Sequence, residues 1–350
     1  MRVLMLGPSK ESMGGIATVI KNFHRYFKCD DIDIIYSDTW KEGNLSERLK
    51  VTIVSLLKLI KYMLVGNIDI VHIHMAQDGS FYRKSLIILI GTLFRKNILL
   101  HMHASQFDKF YLNSNNMVKS YIRFILKLPN KIIVLSQQWE EFYRKITNNE
   151  IVIVNNAVLV DKYKYNNGGN VISFMGRLCE RKGIYDVLKI ADKILEEHKG
   201  FKLYLCGDGD VEKVRDIIAK KGLSNRIIVT GWINDNDKDK ILKNSIINIL
   251  PSYNEGMPMA ILETMAKGIP NISTNIGGIP NVIKNYDNGI LISPGNTDEL
   301  FKSLNYLLSN KKMRTDMSIK AYETIKDKFS IESYNNEFVK LYKSLNNIEW

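Results

Sequence analysis

Short apolar runs alternate with amphipathic stretches from the first residues of the chain onward. The apolar runs predict five strands: RVLMLG, DIDIIYS, DIVHIHM, NILLHMH and KIIVLS. The amphipathic stretches between them predict helices, for example GIATVIKNFHRYF and residues 47–65. This alternation is typical of a parallel sheet covered by helices. Residues 1–164 are therefore predicted to form one α/β domain of the Rossmann type.

A second series of the same kind follows the polar, glycine-rich segment KYNNGGN at 164–170. Residues 165–330 predict a second Rossmann-like domain, and 350 residues are enough for two domains. The remaining segment, 331–350, predicts a helix with Ser330 as its N-cap. One face of that helix is apolar through Phe338, Leu341, Tyr342 and Leu345.

The composition is that of an ordinary soluble globular protein, with 45% hydrophobic and 25% charged residues. Three scattered cysteines, Cys29, Cys179 and Cys206, do not make a disulfide framework, which favours a reducing compartment. The opening MRVLMLGPSK predicts a strand rather than a secretory leader, and the apolar run at 86–94 is shorter than the roughly 20 residues of a spanning helix. We therefore expect a cytoplasmic protein.

The net charge of +12 lies mainly in the first half of the chain and favours an anionic partner. The segment MVKSYIRFILKL places Lys119, Arg123 and Lys127 four residues apart beside apolar residues. Two interpretations stay open: an interfacial helix on an anionic membrane surface, or a core-packed helix with a solvated basic edge. A nucleic acid is not expected, because no basic and aromatic binding module is recognisable.

The segment PSYNEGMPMAILETMAKGIP carries the strongest chemical signal. Pro258 suits the first position of a helix and Gly268 its end, which places Glu255 in a loop and Glu263 inside a short helix. Backbone amides at such a helix start can bind a diphosphate, and the two carboxylates can bind hydroxyl groups of a sugar and a ribose. The loop residues expected to turn their amides outward are Gly256, Met257 and Pro258. The alternative is an amphipathic helix with two solvated glutamates.

Two further loops can contact anions. In FMGRLCERKG, Arg177 and Lys182 follow a strand, at the sheet edge where α/β ligands bind. In GPSKESMGGIATVI, Gly14 and Gly15 precede a helix and let a ligand approach the backbone. A solvated surface loop is the alternative for Arg177 and Lys182. Neither segment is a dinucleotide-binding GxGxxG or a P-loop, which counts against dehydrogenase and NTPase functions.

Four histidines form two pairs at predicted strand ends, His72 with His74 and His101 with His103. Alternation puts each pair on one strand face, so that a metal centre is one interpretation. No carboxylate ligands accompany them, and we predict no metal site. His72, His74 and His101 are expected to be satisfied by backbone groups, whereas His103 at a strand tip is expected to point into a cleft.

Together these motifs resemble the retaining glycosyltransferases of family 4, also called group 1, which have the GT-B fold. The resemblance runs over nearly the whole chain, through GGIATVI, HMHAS, FMGRL with RKG, CGDGD, LPSYNEGMPMAILETMAKG and GGIPNVI. Glu255 and Glu263, with seven residues between them, are its most specific part. Ala104 and Asn281 depart from the pattern, since glycine and glutamate are common there.

The resemblance implies two Rossmann-like domains that face each other across a cleft, with the acceptor on 1–164 and the donor nucleotide on 165–330. It also implies that the segment 331–350 crosses back to the first domain. By this resemblance, Arg177 and Lys182 would bind the donor diphosphate, and Gly14 and Gly15 would approach it from the other domain. Glu255 and residues 256–258 would bind the sugar and the phosphate. Glu263 would bind the ribose, and His103 would contact the transferred sugar.

The predicted activity is that of a hexosyl- or glycosyltransferase (EC 2.4) that is retaining and needs no metal or other cofactor. Its donor would be a nucleotide-sugar, with a UDP-sugar favoured, and its acceptor a saccharide or lipid-linked saccharide in bacterial capsule or exopolysaccharide synthesis. Such an enzyme would be cytoplasmic and peripheral on the inner face of the cell membrane. A nucleotide-sugar epimerase of the same fold and a non-catalytic nucleotide-sugar-binding protein are the alternatives.

Overall fold

The computed structural model describes residues 1–66, 68–103 and 105–346, so that Ala104 lies outside the described residues. The chain forms two compact units. The first contains residues 1–157 together with the last helix, and the second contains residues 158–330. The units therefore divide between Ala157 and Val158, a few residues before the glycine-rich segment at 164–170.

The first unit alternates strands and helices as its apolar runs predict. Its strands are β1 (Arg2–Pro8), β2 (Asp33–Trp40), β3 (Ile70–Met75), β4 (Asn97–Met102), β5 (Lys131–Val134) and β6 (Ile151–Ile153). Its helices before the domain boundary are α1 (Gly15–Tyr26), α2 (Leu45–Val65), α3 (Gly79–Leu93), α4 (Phe107–Asn113), α5 (Asn116–Ile125) and α6 (Gln137–Arg144). The sequence analysis missed β6, a strand of three residues at the sheet edge.

The second unit repeats this architecture. Its strands are β7 (Val171–Met175), β8 (Lys202–Cys206), β9 (Ile227–Gly231), β10 (Ser245–Leu250), β11 (Asn271–Thr274) and β12 (Gly289–Ile292). Its helices are α7 (Ile184–Glu197), α8 (Val211–Lys220), α9 (Asp235–Leu242), α10 (Met259–Met265), α11 (Ile279–Val282), α12 (Thr297–Ser309) and α13 (Lys311–Lys328), and a 3₁₀ turn spans Glu180–Lys182.

Each sheet has six parallel strands and one reversal of strand order. The first sheet runs β2-β1-β3-β4-β5-β6, and the second runs β12-β11-β10-β7-β8-β9. Consequently β1 lies between β2 and β3, and β7 lies between β8 and β10. Connections leave in opposite directions on the two sides of such a strand, and a crevice opens there beyond the carboxyl ends of the strands. The α/β prediction of two Rossmann-like units is confirmed.

The last helix, α14 (Ile331–Asn346), packs on the first unit. Phe338 is fully buried there, with its ring 5.1 Å from that of Phe23 on α1 and 4.6 Å from that of Tyr334. Asn97 on β4 donates a hydrogen bond to the Leu345 carbonyl at 2.9 Å. The apolar face that the sequence shows on this segment is therefore the face that covers the sheet of the first unit.

We expect Phe338→Ala to destabilise the first unit by about 3–5 kcal/mol, because the substitution leaves a large cavity among aromatic rings. The half-exposed Phe124→Ala on α5 is the matched control, and its cost should stay below about 1 kcal/mol. Urea unfolding of the two variants measures both values. Similar losses would contradict the packing of α14 described above.

Candidate functional site

The strand reversal of the second unit collects the anion-binding loops that the sequence predicts. The loop that follows β7 carries Arg177 and Lys182, and the loop that follows β10 carries Glu255. Since β7 and β10 are neighbours on either side of the reversal, both loops leave the same edge of the sheet at its crevice. Lys182 and Glu255, 73 positions apart in the chain, thereby become direct partners.

A buried ion pair joins the two loops. Lys182 Nζ lies 2.5 Å from Glu255 Oε1, and the Ser252 hydroxyl donates to the same oxygen at 2.7 Å. Arg181 Nη1 lies 3.9 Å from the second carboxylate oxygen and donates to the Asn254 carbonyl at 3.0 Å. Glu255 is 5% exposed, so these partners are what makes its burial as a carboxylate tolerable.

Arg177 occupies a different environment in the same loop. Its side chain is 61% exposed and lies 3.4 Å from Asp208, which follows β8. An exposed guanidinium with one loosely placed partner keeps most of its donors available for a phosphate. Arg177 is therefore the free cation of this edge, whereas Lys182 is committed to Glu255 in the structure described here.

The loop at 256–258 differs from its prediction in two respects. The helix begins at Met259, and Pro258 is its N-cap rather than its first residue. Gly256, Met257 and Pro258 are buried, although the sequence analysis expects this loop to face outward. The reason is the turn at 277–278, which packs on it: Gly278 donates its N–H to the Gly256 carbonyl at 2.6 Å. At Gly277 a side chain would collide with the Glu255 carbonyl.

Glu263 lies inside α10, as predicted, and is half-buried. Lys238 of α9 contacts it at 3.1 Å. The pairing raises the pKa of Lys238 above its ordinary value against the opposing effect of burial, so that this lysine stays charged. Lys238, Arg181 and Ser252 are site neighbours that the sequence analysis missed. Only Arg181 carried a signal in the sequence, as the cation that directly precedes Lys182 in ERKG.

The predicted residues of the first unit lie at its own strand reversal. Gly14 follows β1, has a φ of 112° and forms the N-cap of α1, whose first residue is Gly15. Both glycines are exposed, and a side chain built on Gly14 would meet no neighbouring atom. The positive φ therefore explains the glycine at position 14, and the helix start after it is open to a ligand.

The four strand histidines form one stack of rings at the ends of β3 and β4. His74 Nδ1 lies 2.8 Å from His103 Nε2, and His72 Nδ1 lies 2.7 Å from the hydroxyl of Tyr342 on α14. His101 stacks on His103 with ring centroids 4.0 Å apart. The expectation that three of these histidines bond to backbone groups is wrong, since His72 and His74 bond to side chains and neither ring nitrogen of His101 has a partner among the described residues.

Several nitrogens of this stack have no partner among the described residues: Nε2 of His72 and His74, and both ring nitrogens of His101. A buried N–H without an acceptor costs more than a bare lone pair. His74 is thus best satisfied with its proton on Nδ1, donated to His103. That tautomer leaves the proton of His103 on its Nδ1, so that this half-buried ring presents a donor to its surroundings.

Burial keeps the stack neutral. It lowers the pKa of His103 to about 3, and burial together with the charge of His103 lowers that of His72 to about 3. The pKa values of His74 and His101 are lowered well below the ordinary value, again chiefly by burial. His103 is consequently a neutral hydrogen-bond donor near pH 7 rather than a proton carrier.

His72, His74 and His101 are also the group that a metal ion could engage. One ligand nitrogen of each lies within 4.8 Å of the others. Their ring planes, however, are within 9° to 33° of parallel, and parallel rings direct their lone pairs side by side rather than toward one point. The geometry is that of a packed stack, not of the tetrahedral sites that histidines form around zinc.

Of the predicted basic stripe, Lys119 and Arg123 lie on α5, a helix that packs on the core, whereas Lys127 lies beyond the end of that helix at Ile125. Ile122 and Ile125 are fully buried, and Lys119 is half-buried with its ammonium 5.9 Å from the centroid of the Tyr111 ring. Arg123 and Lys127 are exposed. Among the described residues, no helix is both long and apolar enough to cross a membrane.

Comparisons with known proteins agree with this geometry. Residues 157–324, nearly the whole second unit, match the family model "Glycosyl transferases group 1". An uncharacterized glycosyltransferase of Methanocaldococcus jannaschii is 25% identical, with 99% of each chain covered, and a second one is 30% identical over 49% of this chain and 44% of its own. The Escherichia coli UDP-Gal:alpha-D-GlcNAc-diphosphoundecaprenol alpha-1,3-galactosyltransferase is 27% identical, with 71% of this chain and 69% of its own covered.

Among solved structures, that of Anabaena HepE in complex with UDP-glucose superposes with a TM-score of 0.79. It covers 98% of this chain and 100% of its own at 16% identity, which establishes a shared fold. The two units are thus of the GT-B type.

We expect Lys182→Met to lower the free energy of unfolding by about 2–3 kcal/mol, because it leaves the buried Glu255 carboxylate without its closest cation. Arg177→Met, the matched exposed change, should cost less than about 0.5 kcal/mol. The double variant Lys182→Met with Glu255→Met should recover much of the loss. Urea unfolding decides: equal losses for both single variants would contradict the buried pair.

The neutral stack predicts a loss of stability in acid. A histidine with a lowered folded pKa takes up a proton in the unfolded chain below about pH 6.5, so stability is complete above that pH and falls toward pH 3. Each of the four histidines should cost up to about 1.4 kcal/mol at about pH 5.5.

His101→Leu should reduce this pH dependence and leave stability near pH 7.5 equal or higher, because both ring nitrogens of His101 lack partners. Leu100→Ala on the same strand is the control: it should destabilise equally at both pH values. Urea midpoints at the two pH values measure the difference. An unchanged pH dependence in His101→Leu would contradict the neutral stack.

Proposed function

We propose that this chain, which is a glycosyltransferase, moves a sugar from a nucleotide-sugar to a saccharide or lipid-linked acceptor with retention at the anomeric carbon and without a catalytic metal. A UDP-sugar is the favoured donor, and the reaction serves bacterial cell-surface polysaccharide synthesis at the cytoplasmic face of the membrane. The second unit binds the donor, and the first unit binds the acceptor.

The observation that carries the proposal is the cluster of cations at the strand reversal of the second unit. Arg181 and Lys182 lie against a single buried carboxylate, Glu255, and Arg177 of the same loop lies 3.4 Å from the partly exposed Asp208. The surplus of positive charge suits a diphosphate, whose charge grows as the bond to the sugar breaks. Fixed cations can stabilise that leaving group as Mg²⁺ does in other enzymes, which supports metal independence.

The glutamates would bind the neutral parts of the donor. Glu255, held by Lys182 and Ser252, has a fixed carboxylate that can accept hydrogen bonds from sugar hydroxyls, and Glu263 on α10 can accept from a ribose diol. The α10 helix has only seven residues, so its dipole contributes little. Phosphate binding is therefore assigned mainly to the arginines and Lys182, with the amides of residues 256–258 in a supporting role.

His103 would contact the transferred sugar as a neutral donor. The tautomer set by His74 places a proton on its outward nitrogen, and its pKa of about 3 keeps it uncharged at neutral pH. A group in this state cannot act as general base, so the acceptor proton would pass to an oxygen of the departing phosphate during attack on the same face. Gly14 and Gly15 would let the substrate approach the backbone of the first unit.

Two relatives support the choice of substrates. The structure of HepE contains UDP-glucose, and the Escherichia coli relative is named for a diphosphoundecaprenol acceptor. An acceptor of that kind would hold the enzyme at the inner membrane surface, where the exposed Arg123 and Lys127 and the half-buried Lys119 would face anionic lipid.

The test is turnover of a panel of UDP-, GDP- and ADP-sugars with EDTA present and with a pool of lipid-linked saccharides as acceptors. We expect one donor to be consumed, and EDTA to have no effect. Arg177→Met should weaken donor binding about 30-fold or more, because a phosphate loses a two-pronged guanidinium contact. Arg215→Met, an exposed arginine on α8, is the matched control and should bind as wild type does.

The outcomes separate the alternatives. Conversion of one nucleotide-sugar into its epimer without acceptor would make the chain an epimerase. Binding without turnover of any donor would favour a nucleotide-sugar-binding protein. Activity that disappears with EDTA and returns with Mg²⁺ would overturn the metal-independent mechanism.

A further inference from the structure

Exposed large apolar side chains are concentrated on one set of helices, α2 to α5. Elsewhere in the described chain such side chains are scattered, but α2 alone exposes six of them. Further examples lie on the neighbouring helices, including Leu93, Met117 and Phe124. The helices adjoin one another, since α2 packs on α3 and α3 packs on α5. An exposed apolar area of this extent marks a contact surface.

The outward face of α2 is regular. Leu49, Ile53 and Leu57 follow one another at four-residue spacing, and Leu64 continues the same side two turns further on. Leu57 and Leu64 are 62% and 68% exposed, values unusual for leucine in a soluble helix. The opposite side of α2 packs into the core through Leu59 and Met63, so the outward leucines are left exposed by the part of the unit that the structure describes.

Basic side chains border this stripe. Lys50, Lys58 and Lys61 are exposed and lie beside the leucines on the helical surface, with Arg48 at the start of the helix. The single acid of α2, Glu47, is part of the capping box with Asn44. From Arg48 to Val65 the helix therefore carries cations and apolar residues but no carboxylate.

We propose that the α2 face, defined by Leu49, Ile53, Leu57 and Leu64 with Lys50, Lys58 and Lys61, inserts into the interface of an anionic lipid bilayer. Leucine side chains would enter the boundary between headgroups and acyl chains, while the lysines extend to the phosphates. This proposal rests on the proposed function only in expecting a membrane-bound acceptor. It adds α2, as the inserted element, to the membrane contact that the proposed function gives to Lys119, Arg123 and Lys127.

Charge decides between a bilayer and a second copy of the chain. In a symmetric dimer the same face meets itself, which would bring the lysines of two copies together with no carboxylate of α2 to neutralise them. Anionic headgroups supply the missing charge, and acyl chains supply the apolar partner. The net charge of +12 adds attraction to a negatively charged surface.

The experiment is flotation of the full chain with vesicles of phosphatidylethanolamine and phosphatidylglycerol, compared with vesicles of phosphatidylcholine. We expect binding to the anionic vesicles only. The apolar variant Leu49→Ser, Ile53→Ser, Leu57→Ser should bind at least about tenfold more weakly. The charge variant Lys50→Gln, Lys58→Gln, Lys61→Gln should bind about 100-fold more weakly at low salt.

The matched control for the charge variant is Lys199→Gln, Lys312→Gln, Lys326→Gln, which removes the same charge from exposed positions of the second unit and should bind as wild type does. Donor hydrolysis in the absence of vesicles should be unchanged in all three variants, so a failure of the proposed function is seen separately. Unchanged flotation of the α2 variants would overturn the proposal. So would a wild-type dimer, seen by light scattering, that the apolar variant converts to a monomer.

Discussion

Parallel strands cannot be joined by tight turns, so each connection in the two sheets is a crossover that covers one face and returns to the starting edge. All carboxyl ends of the strands then point to one side of a sheet. The positions of chemistry follow from this constraint, because the crossovers change direction at one strand in each unit. The loops beside β1 and beside β7 leave in opposite directions, and a crevice opens between them. The charged and glycine-rich loops of the two units lie at these two crevices.

At the reversal of the second unit, polar groups are held in place by one another. Glu255 is buried with Lys182, Ser252 and Arg181, and the two loops are further tied by the Tyr253 N–H, which donates to the Arg181 carbonyl at 2.8 Å. Burying such a network costs desolvation free energy, but its hydrogen bonds and ion pairs fix the positions of the side chains in the two loops. Arg177 lies outside this network, so the site combines a fixed set of buried groups with one exposed cation beside Asp208.

The sequence was sufficient for the strands, for the two units and for the loops that hold Arg177, Lys182 and Glu255, because uniform apolar runs and glycine or proline boundaries are local signals. It was insufficient where distant side chains decide the outcome. The burial of residues 256–258 depends on the turn at 277–278, and the state of His103 depends on His74 one strand away. Likewise, α2 and α5 both look amphipathic in sequence, and only their packing shows which leucines remain uncovered.

The position of α14 has a consequence for how the protein is made. The first unit contains residues 1–157 and also α14, the helix that follows the whole second unit along the chain, and Phe338, Tyr342 and Leu345 of that helix complete its core. The sheet of the first unit must therefore wait on the ribosome with an open apolar face until the second unit, residues 158–330, and α14 have emerged. The second unit, contiguous in sequence, can finish first, so the usual order of folding during translation is reversed.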